Sequence, residues 1–167
     1  MIYVIQTESG KETDIRRELI KNDIRAFVPM RELLIHRNAG WSKMINLLFP
    51  SYVFLECEYS AELHHIVKSI DGVIRFLGEP SPIGGSEEEF MRMMFNGGKV
   101  IPISSAEIGT DGSIKILSGF LAGRSHYIKY WNIRQRKALA VIRFGGKNHR
   151  VNFGVDFIRN PFAVITR

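Results

Sequence analysis

The chain has 167 residues, 45% of them hydrophobic, and a net charge of +6 at neutral pH, which suits one medium or two small globular domains and excludes general disorder. The charge is uneven: Met1–Ile103 carries 12 Lys and Arg against 14 Asp and Glu, whereas Ile108–Arg167 carries 11 against 2. No apolar run reaches the roughly 18 residues of a membrane span, the N-terminus lacks the pattern of a signal peptide, and the single Cys57 has no disulfide partner, so a soluble cytoplasmic protein is expected.

Ile2–Thr7 reads as a short buried strand. Ser9 followed by Glu12 has the spacing of a capping box, and Ile15, Leu19 and Ile20 keep a helical period, predicting a helix over Gly10–Lys21. Ala26–Pro29 predicts a second strand stopped by its proline, and Arg31–His36 a third. HRNAGWSK (His36 to Lys43) reads as a hairpin tip with Asn38 and Gly40 as turn residues. That tip carries Arg37, Trp41 and Lys43. It is either a solvated loop or a contact for a nucleic-acid backbone or an exposed base, where cation and aromatic act together.

Leu47–Glu58, LLFPSYVFLECE, predicts a strand with Pro50 near its start. Alternation puts Tyr52 and Phe54 on one face and Val53 and Leu55 on the other, so both faces are apolar. One covers the core. The other is covered by a second layer of the same domain or lines a groove of Phe49, Tyr52 and Phe54 for a partner helix. Ala61–Ser69 has helical spacing, and its adjacent His64 and His65 point about 100° apart, which does not suit a shared metal ion. Gly72–Gly78 predicts a strand. Ser86 as N-cap, with Glu87–Glu89 in the first turn, opens a helix whose apolar face is Phe90, Met93 and Met94.

Gly97–Thr110 breaks the pattern and reads as a linker. Strand-like runs at Ile114–Leu117, His126–Asn132, Ala138–Phe144 and His149–Phe153, with glycine or basic separators, predict a small barrel. Its charge points to a polyanion, most often nucleic acid; an inert basic domain is the alternative. The sequence has no P-loop, no G-x-S-x-G and no H-E-x-x-H, and Glu87–Glu89 is better read as a helix start than as an acid/base pair. Neither an enzyme nor a cofactor or metal site is expected.

Ile2-Tyr3-Val4-Ile5-Gln6-Thr7, Ser9-Gly10-Lys11-Glu12, Phe27-Val28-Pro29, Leu48-Phe49-Pro50-Ser51-Tyr52-Val53-Phe54, Gly72-Val73 and Phe76-Leu77-Gly78 resemble, in order and spacing, the N-terminal domain of the NusG transcription elongation factors. Leu117-Ser118-Gly119-Phe120-Leu121-Ala122-Gly123 and Val141-Ile142-Arg143-Phe144-Gly145 resemble the KOW domain that follows it. The resemblance implies an α+β fold: an antiparallel sheet flanked by helices over residues 1–96, a linker over 97–110 and an SH3-like KOW β-barrel over 111–167. It implies that Tyr3, Phe49, Pro50, Tyr52, Phe54 and Phe76 form a groove for the clamp helices of the largest subunit of RNA polymerase. His64 and His65 would face the opposite pincer. Holding both pincers would shift a conformational population toward the closed clamp, with no bond-making. A contact with non-template DNA, and a monomeric state, complete the expectation.

Two features depart from the family pattern. Ser51 stands where F-P-G-Y has glycine, and Phe120-Leu121 and His126 replace residues common in KOW domains. The barrel is also rich in cations: Arg124, Lys129, Arg134, Arg136, Lys137, Arg143, Lys147 and Arg150. In both respects the chain resembles a specialised paralogue of the LoaP antitermination type. With Tyr127, Tyr130 and Trp131 these cations suit a structured leader RNA, read through phosphates, shape and loop bases; Arg37 and Lys43 of the hairpin tip are further nucleic-acid-binding candidates. The alternatives are a general elongation adaptor whose KOW domain grips ribosomal or termination proteins, and a ribosome-associated RNA chaperone.

Overall fold

The computed structural model describes residues 1–78 and 80–159, so residues 160–167 of the predicted barrel lie outside the described residues. In chain order the elements are β1 (Ile2–Thr7), α1 (Glu12–Lys21), β2 (Arg25–Phe27), β3 (Met30–Arg37), β4 (Gly40–Leu47), β5 (Tyr52–Glu56), α2 (Ala61–Ser69), β6 (Val73–Phe76), α3 (Gly85–Phe95), β7 (Ser104–Ile108), β8 (Ile114–Ser118), β9 (Ile128–Asn132), β10 (Lys137–Phe144) and β11 (Lys147–Arg159). This is the mixed α+β fold that was expected. The chain divides into two units: Met1–Pro29, Leu47–Lys99 and Ile142–His149 make one, and Met30–Asn46, Val100–Val141 and the chain from Arg150 make the other.

In the first unit, four strands form an antiparallel sheet in the order β2-β5-β1-β6. β5 is interior: Tyr52–Glu56 lie opposite Gln6–Ile2 on one side, and Phe54–Glu56 opposite Phe27–Arg25 on the other. The predicted alternation holds. Val53 and Leu55 join Tyr3, Ile5 and Phe76 in a core closed by Ile15 and Leu19 of α1 and Val67 of α2. Full burial of each aliphatic side chain contributes about 1.5–3 kcal/mol, so this layer holds the unit together.

The helix starts differ from expectation. Lys11, not Ser9, is the N-cap of α1, and no side chain caps it. The Glu12 carboxylate serves elsewhere: it is buried and accepts N–H bonds from Gly10 at 3.0 Å and from Ser51 at 2.9 Å. Ser51 has φ +70°, a left-handed conformation that costs an L-residue about 1–2 kcal/mol, and Glu12 helps to hold it there. α2 is capped by Ser60, whose hydroxyl accepts the Leu63 N–H at 3.0 Å. α3 begins two residues earlier than predicted, with Gly84 as N-cap and Ser86 inside the first turn.

In the second unit β3 and β4 form a two-stranded hairpin, tighter than the predicted tip, so that Trp41 and Lys43 lie within β4. Five strands form the other sheet in the order β8-β7-β11-β10-β9, which fits the small barrel expected. The segment read as a linker contains β7, whose Ser104, Ala106 and Ile108 are buried in alternation and which runs parallel to Val155–Arg159. Ser125–Tyr127 is a single 3-10 turn, so β9 begins only at Ile128. β11 is longer than predicted because Gly154 does not end it. A Cβ there would stand 2.6 Å from the Glu32 carbonyl oxygen, so the glycine marks a close approach of two backbones. Beside this contact the buried Arg31 donates from Nε to the Asn152 carbonyl at 2.8 Å and from Nη1 to Asn46 Oδ1 at 2.5 Å. Burial lowers its pKa to about 10, which leaves it charged at neutral pH. Among the described residues no helix is long and apolar enough to cross a membrane.

Two substitutions test the Glu12–Ser51 clamp. Glu12→Ala strands two N–H groups and is expected to lower stability by about 1–3 kcal/mol. Ser51→Gly relieves the left-handed backbone and is expected to raise it by up to about 1 kcal/mol. Urea midpoints measure both, and an unchanged midpoint for Glu12→Ala would remove the clamp from the account.

Candidate functional site

The second apolar face of β5 is built from aromatic rings. Phe54 lies edge-on to Phe49 at 5.3 Å and tilted against Phe95 at 5.8 Å, and Phe95 stacks on Phe27 at 4.2 Å. The sequence left two coverings open for this face, and a piece of the chain itself provides one: the turn between β10 and β11. Phe144 sits edge-on against Phe49, Tyr52 and Phe54 at 5.4, 5.3 and 5.5 Å. His149 stacks flat on Phe144 at 3.6 Å and meets Tyr52 edge-on at 5.3 Å. As a result Phe49 is 4% and Phe54 0% exposed, Tyr52 is half-buried and Pro50 is exposed. The open aromatic groove expected from the sequence is therefore a capped one. Each such ring pair contributes about 0.5–1.5 kcal/mol beyond its buried area, which makes the cap firm but separable.

Tyr3 and Phe76 do not belong to this groove. Pairing sets Tyr3 opposite Leu55 and Val4 opposite Phe54, so Tyr3 faces the helices. There it lies 5.8 Å from Tyr59, whose hydroxyl shares a 2.6 Å hydrogen bond with His64 Nδ1, and His64 stacks on Phe76 at 4.9 Å. The sequence reading grouped Tyr3 and Phe76 with Phe54, and the strand register separates them. His65 is exposed beside this second cluster. Tyr59 was missed; its position next to the Ser60 cap was the available signal. Among the described residues no group of three or more His, Cys, Asp or Glu could hold a metal.

The predicted nucleic-acid-binding cations fall in both units. Arg143 and Lys147 lie in the unit of the aromatic face, exposed at the capping turn. The second unit holds Arg37, Lys43, Arg124, Lys129, Arg134, Arg136, Lys137 and Arg150. Arg124 is engaged structurally: its guanidinium lies 4.6 Å over the Phe120 ring and donates to the Phe120 carbonyl at 2.7 Å. Lys43 pairs loosely with Glu32 at 3.6 Å, and Arg37 approaches the Met44 sulfur at 3.8 Å. Arg136 lies 4.2 Å over the Trp41 ring, a contact that brings the hairpin and the β9–β10 turn together. Lys129, Arg134 and Arg150 are exposed and Lys137 is half-buried.

Comparison with known proteins adds a family. The family model described as "Transcription termination factor nusG" matches residues 2–109. A Pseudomonas aeruginosa protein named "Transcription termination/antitermination protein NusG" is 28% identical over 159 residues, covering 86% of this chain and 89% of that protein. The protein of that name from Streptococcus pyogenes is 23% identical over 137 residues, covering 73% and 75%. A solved structure titled "Domain interaction in Thermotoga maritima NusG" is 18% identical and covers 92% of each chain, with a TM-score of 0.48.

The cap carries a pH dependence. Burial holds the His149 pKa below its ordinary 6.5, opposed by its bond to the Phe144 carbonyl and assisted by the charge of Lys147. A depressed histidine pKa means that the packed form prefers the neutral ring. The cap therefore has its full stability above about pH 6.5 and loses it as the pH falls below that value. The Tyr52 ring signals are expected to move toward their solvent-exposed positions as the pH is lowered from neutral, and His149→Phe to abolish that movement.

Proposed function

We infer a function from one premise: this chain belongs to the NusG family of transcription termination and antitermination factors, whose members are transcription factors and not enzymes. It acts in the cytoplasm as a monomer on RNA polymerase, and a leader RNA hairpin recruits it for processive antitermination, as a specialised paralogue of the LoaP type. The observation that carries the polymerase half is the ring cluster of Phe49, Tyr52 and Phe54, a large apolar face covered by a turn and, at one side, by Phe95 of α3. Together with Pro50 it is the seat for the clamp helices of the largest polymerase subunit. The opposite face of the sheet, with Tyr3, His64 and Phe76 beside the exposed His65, is the second contact, toward the other pincer. In this reading residues 1–96 hold the polymerase and the barrel, residues 111–167, holds RNA, while the β3–β4 hairpin also contacts non-template DNA.

The cap sets the order of events. Polymerase binds only after Phe144 and His149 leave the aromatic face, so apparent affinity falls by the fraction of molecules that remain capped. The excess of 11 cations over 2 acids from Ile108 onward supports RNA as the recruiting partner. A second reading is favoured by the relatives, which match most of the chain and bear the name of the general factor: an elongation adaptor whose KOW domain binds ribosomal or termination proteins.

Transcription by purified RNA polymerase through a terminator, with and without an upstream leader hairpin, separates the two. Readthrough should require both protein and hairpin. Tyr52→Ala should abolish it, whereas Phe144→Ser should raise polymerase affinity by roughly tenfold or more by removing the cap. Charge reversal of Arg134, Arg136 and Lys137 should remove the response to the hairpin and leave polymerase binding intact. A response independent of the hairpin would favour the general factor, and no binding to polymerase would refute the reading of the aromatic face.

A further inference from the structure

Trp41, whose ring carries the Arg136 guanidinium, lines a depression of about 530 Å³ together with Leu34, Ile35, His36, Arg134, Gln135 and Lys137. That volume lies within the range of small-ligand sites, about 300–1,000 Å³. Both sides of the depression are held in place. On the hairpin side, His36 meets the Trp41 ring edge-on at 5.2 Å. On the turn side, the Gln135 N–H donates to Asn132 Oδ1 at 3.0 Å, and the Arg136 carbonyl accepts the Val155 N–H at 3.0 Å. Arg136 itself is engaged, with its guanidinium over the indole and 3.7 Å from Asp156. Arg134 and Lys137 are in no ion pair among the described residues, which leaves two cations at the rim.

We propose that this depression takes an unstacked base from the loop of an RNA hairpin, with Trp41 as the stacking wall and Arg134 and Lys137 on the flanking phosphates. The proposal rests on the reading of the barrel as RNA-binding and adds where a base is held. A flat aromatic wall accepts any base by stacking, and rim cations meet the phosphates on either side of it. The Gln135 amide can both donate to and accept from a base edge, which gives the site a means of preferring one base. Paired bases in an A-form stem cannot enter such a site, because their faces are already stacked on their neighbours. The ligand is thus a loop or bulge, and an acidic protein segment would leave the indole wall without a stacking partner.

The test uses the full-length protein and a pool of RNA hairpins with randomised loops carrying 5-iodouridine, alongside the same stem as a loopless duplex and the DNA version of the pool. Photocrosslinking should join loop uridines of the bound RNA to Trp41, with no such product from the duplex. Trp41→Ala should weaken hairpin binding about tenfold or more, and Trp41→Phe, which keeps a ring, distinctly less. The crosslink on the unaltered chain makes the result independent of whether Trp41→Ala folds. Tight hairpin binding with crosslinks elsewhere and no effect of Trp41→Ala would overturn the depression as the base site while sparing the barrel's RNA reading. Failure of the whole pool to bind would overturn both. Equal crosslinking to Trp41 by the DNA pool would overturn the assignment to RNA.

Discussion

A strand that is apolar on both faces has to be covered twice, and β5 imposes that requirement on the first unit. Its Val53–Leu55 side is closed by two helices through Ile15, Leu19 and Val67, aliphatic side chains packed to near-zero exposure. Its Phe54 side is closed by Phe95 of α3 and by a turn that brings one phenylalanine and one histidine. The two covers differ in kind. Interdigitated aliphatic packing is lost only by unfolding, whereas a few edge-on ring contacts from a turn can be exchanged for equivalent contacts from another molecule.

Much of this was legible in the sequence, and the failures have a common cause. Period-two alternation in Tyr52–Glu56 and the helical spacing of Ile15 and Leu19 are local signals that agree with the structure, whereas the strand expected from Leu47 to Glu58 is shorter because Leu47 ends β4 and residues 48–51 turn. Glu12 had the spacing of a capping box, but a distant partner, the left-handed Ser51, took its carboxylate. Ser104–Ile108 was read as a linker because Ser-Ser-Ala-Glu-Ile has weak strand propensity. Its strand character comes from pairing with Ser118–Ile114 and, in parallel, with Val155–Arg159, and the parallel partner lies far along the chain. The cap over Phe54 and the Arg136–Trp41 contact escaped for the same reason, since each joins side chains far apart in sequence.

The register of β1 against β5 also changes how the aromatic residues are understood. The family resemblance pools Tyr3, Phe54 and Phe76 into one hydrophobic surface. Pairing Tyr3 with Leu55 instead sends Tyr3 and Phe76 to the helical side and keeps Phe54 with Phe49 and Tyr52. A one-residue shift would exchange every member of the two sets, so the identity of each surface is fixed by backbone pairing before any side chain is considered.

The capping turn is itself shaped by what lies beneath it. Gly145 has φ +59°, and a Cβ at that position would stand 2.8 Å from Leu77 Cδ1. An exposed turn would ordinarily accept most small or polar residues. This one is restricted twice over, by backbone handedness and by contact with the surface it shields. Its tolerance to substitution therefore records how much of the time the turn is seated: a protein that spent its life uncapped would leave that glycine free to drift to any residue the backbone allows.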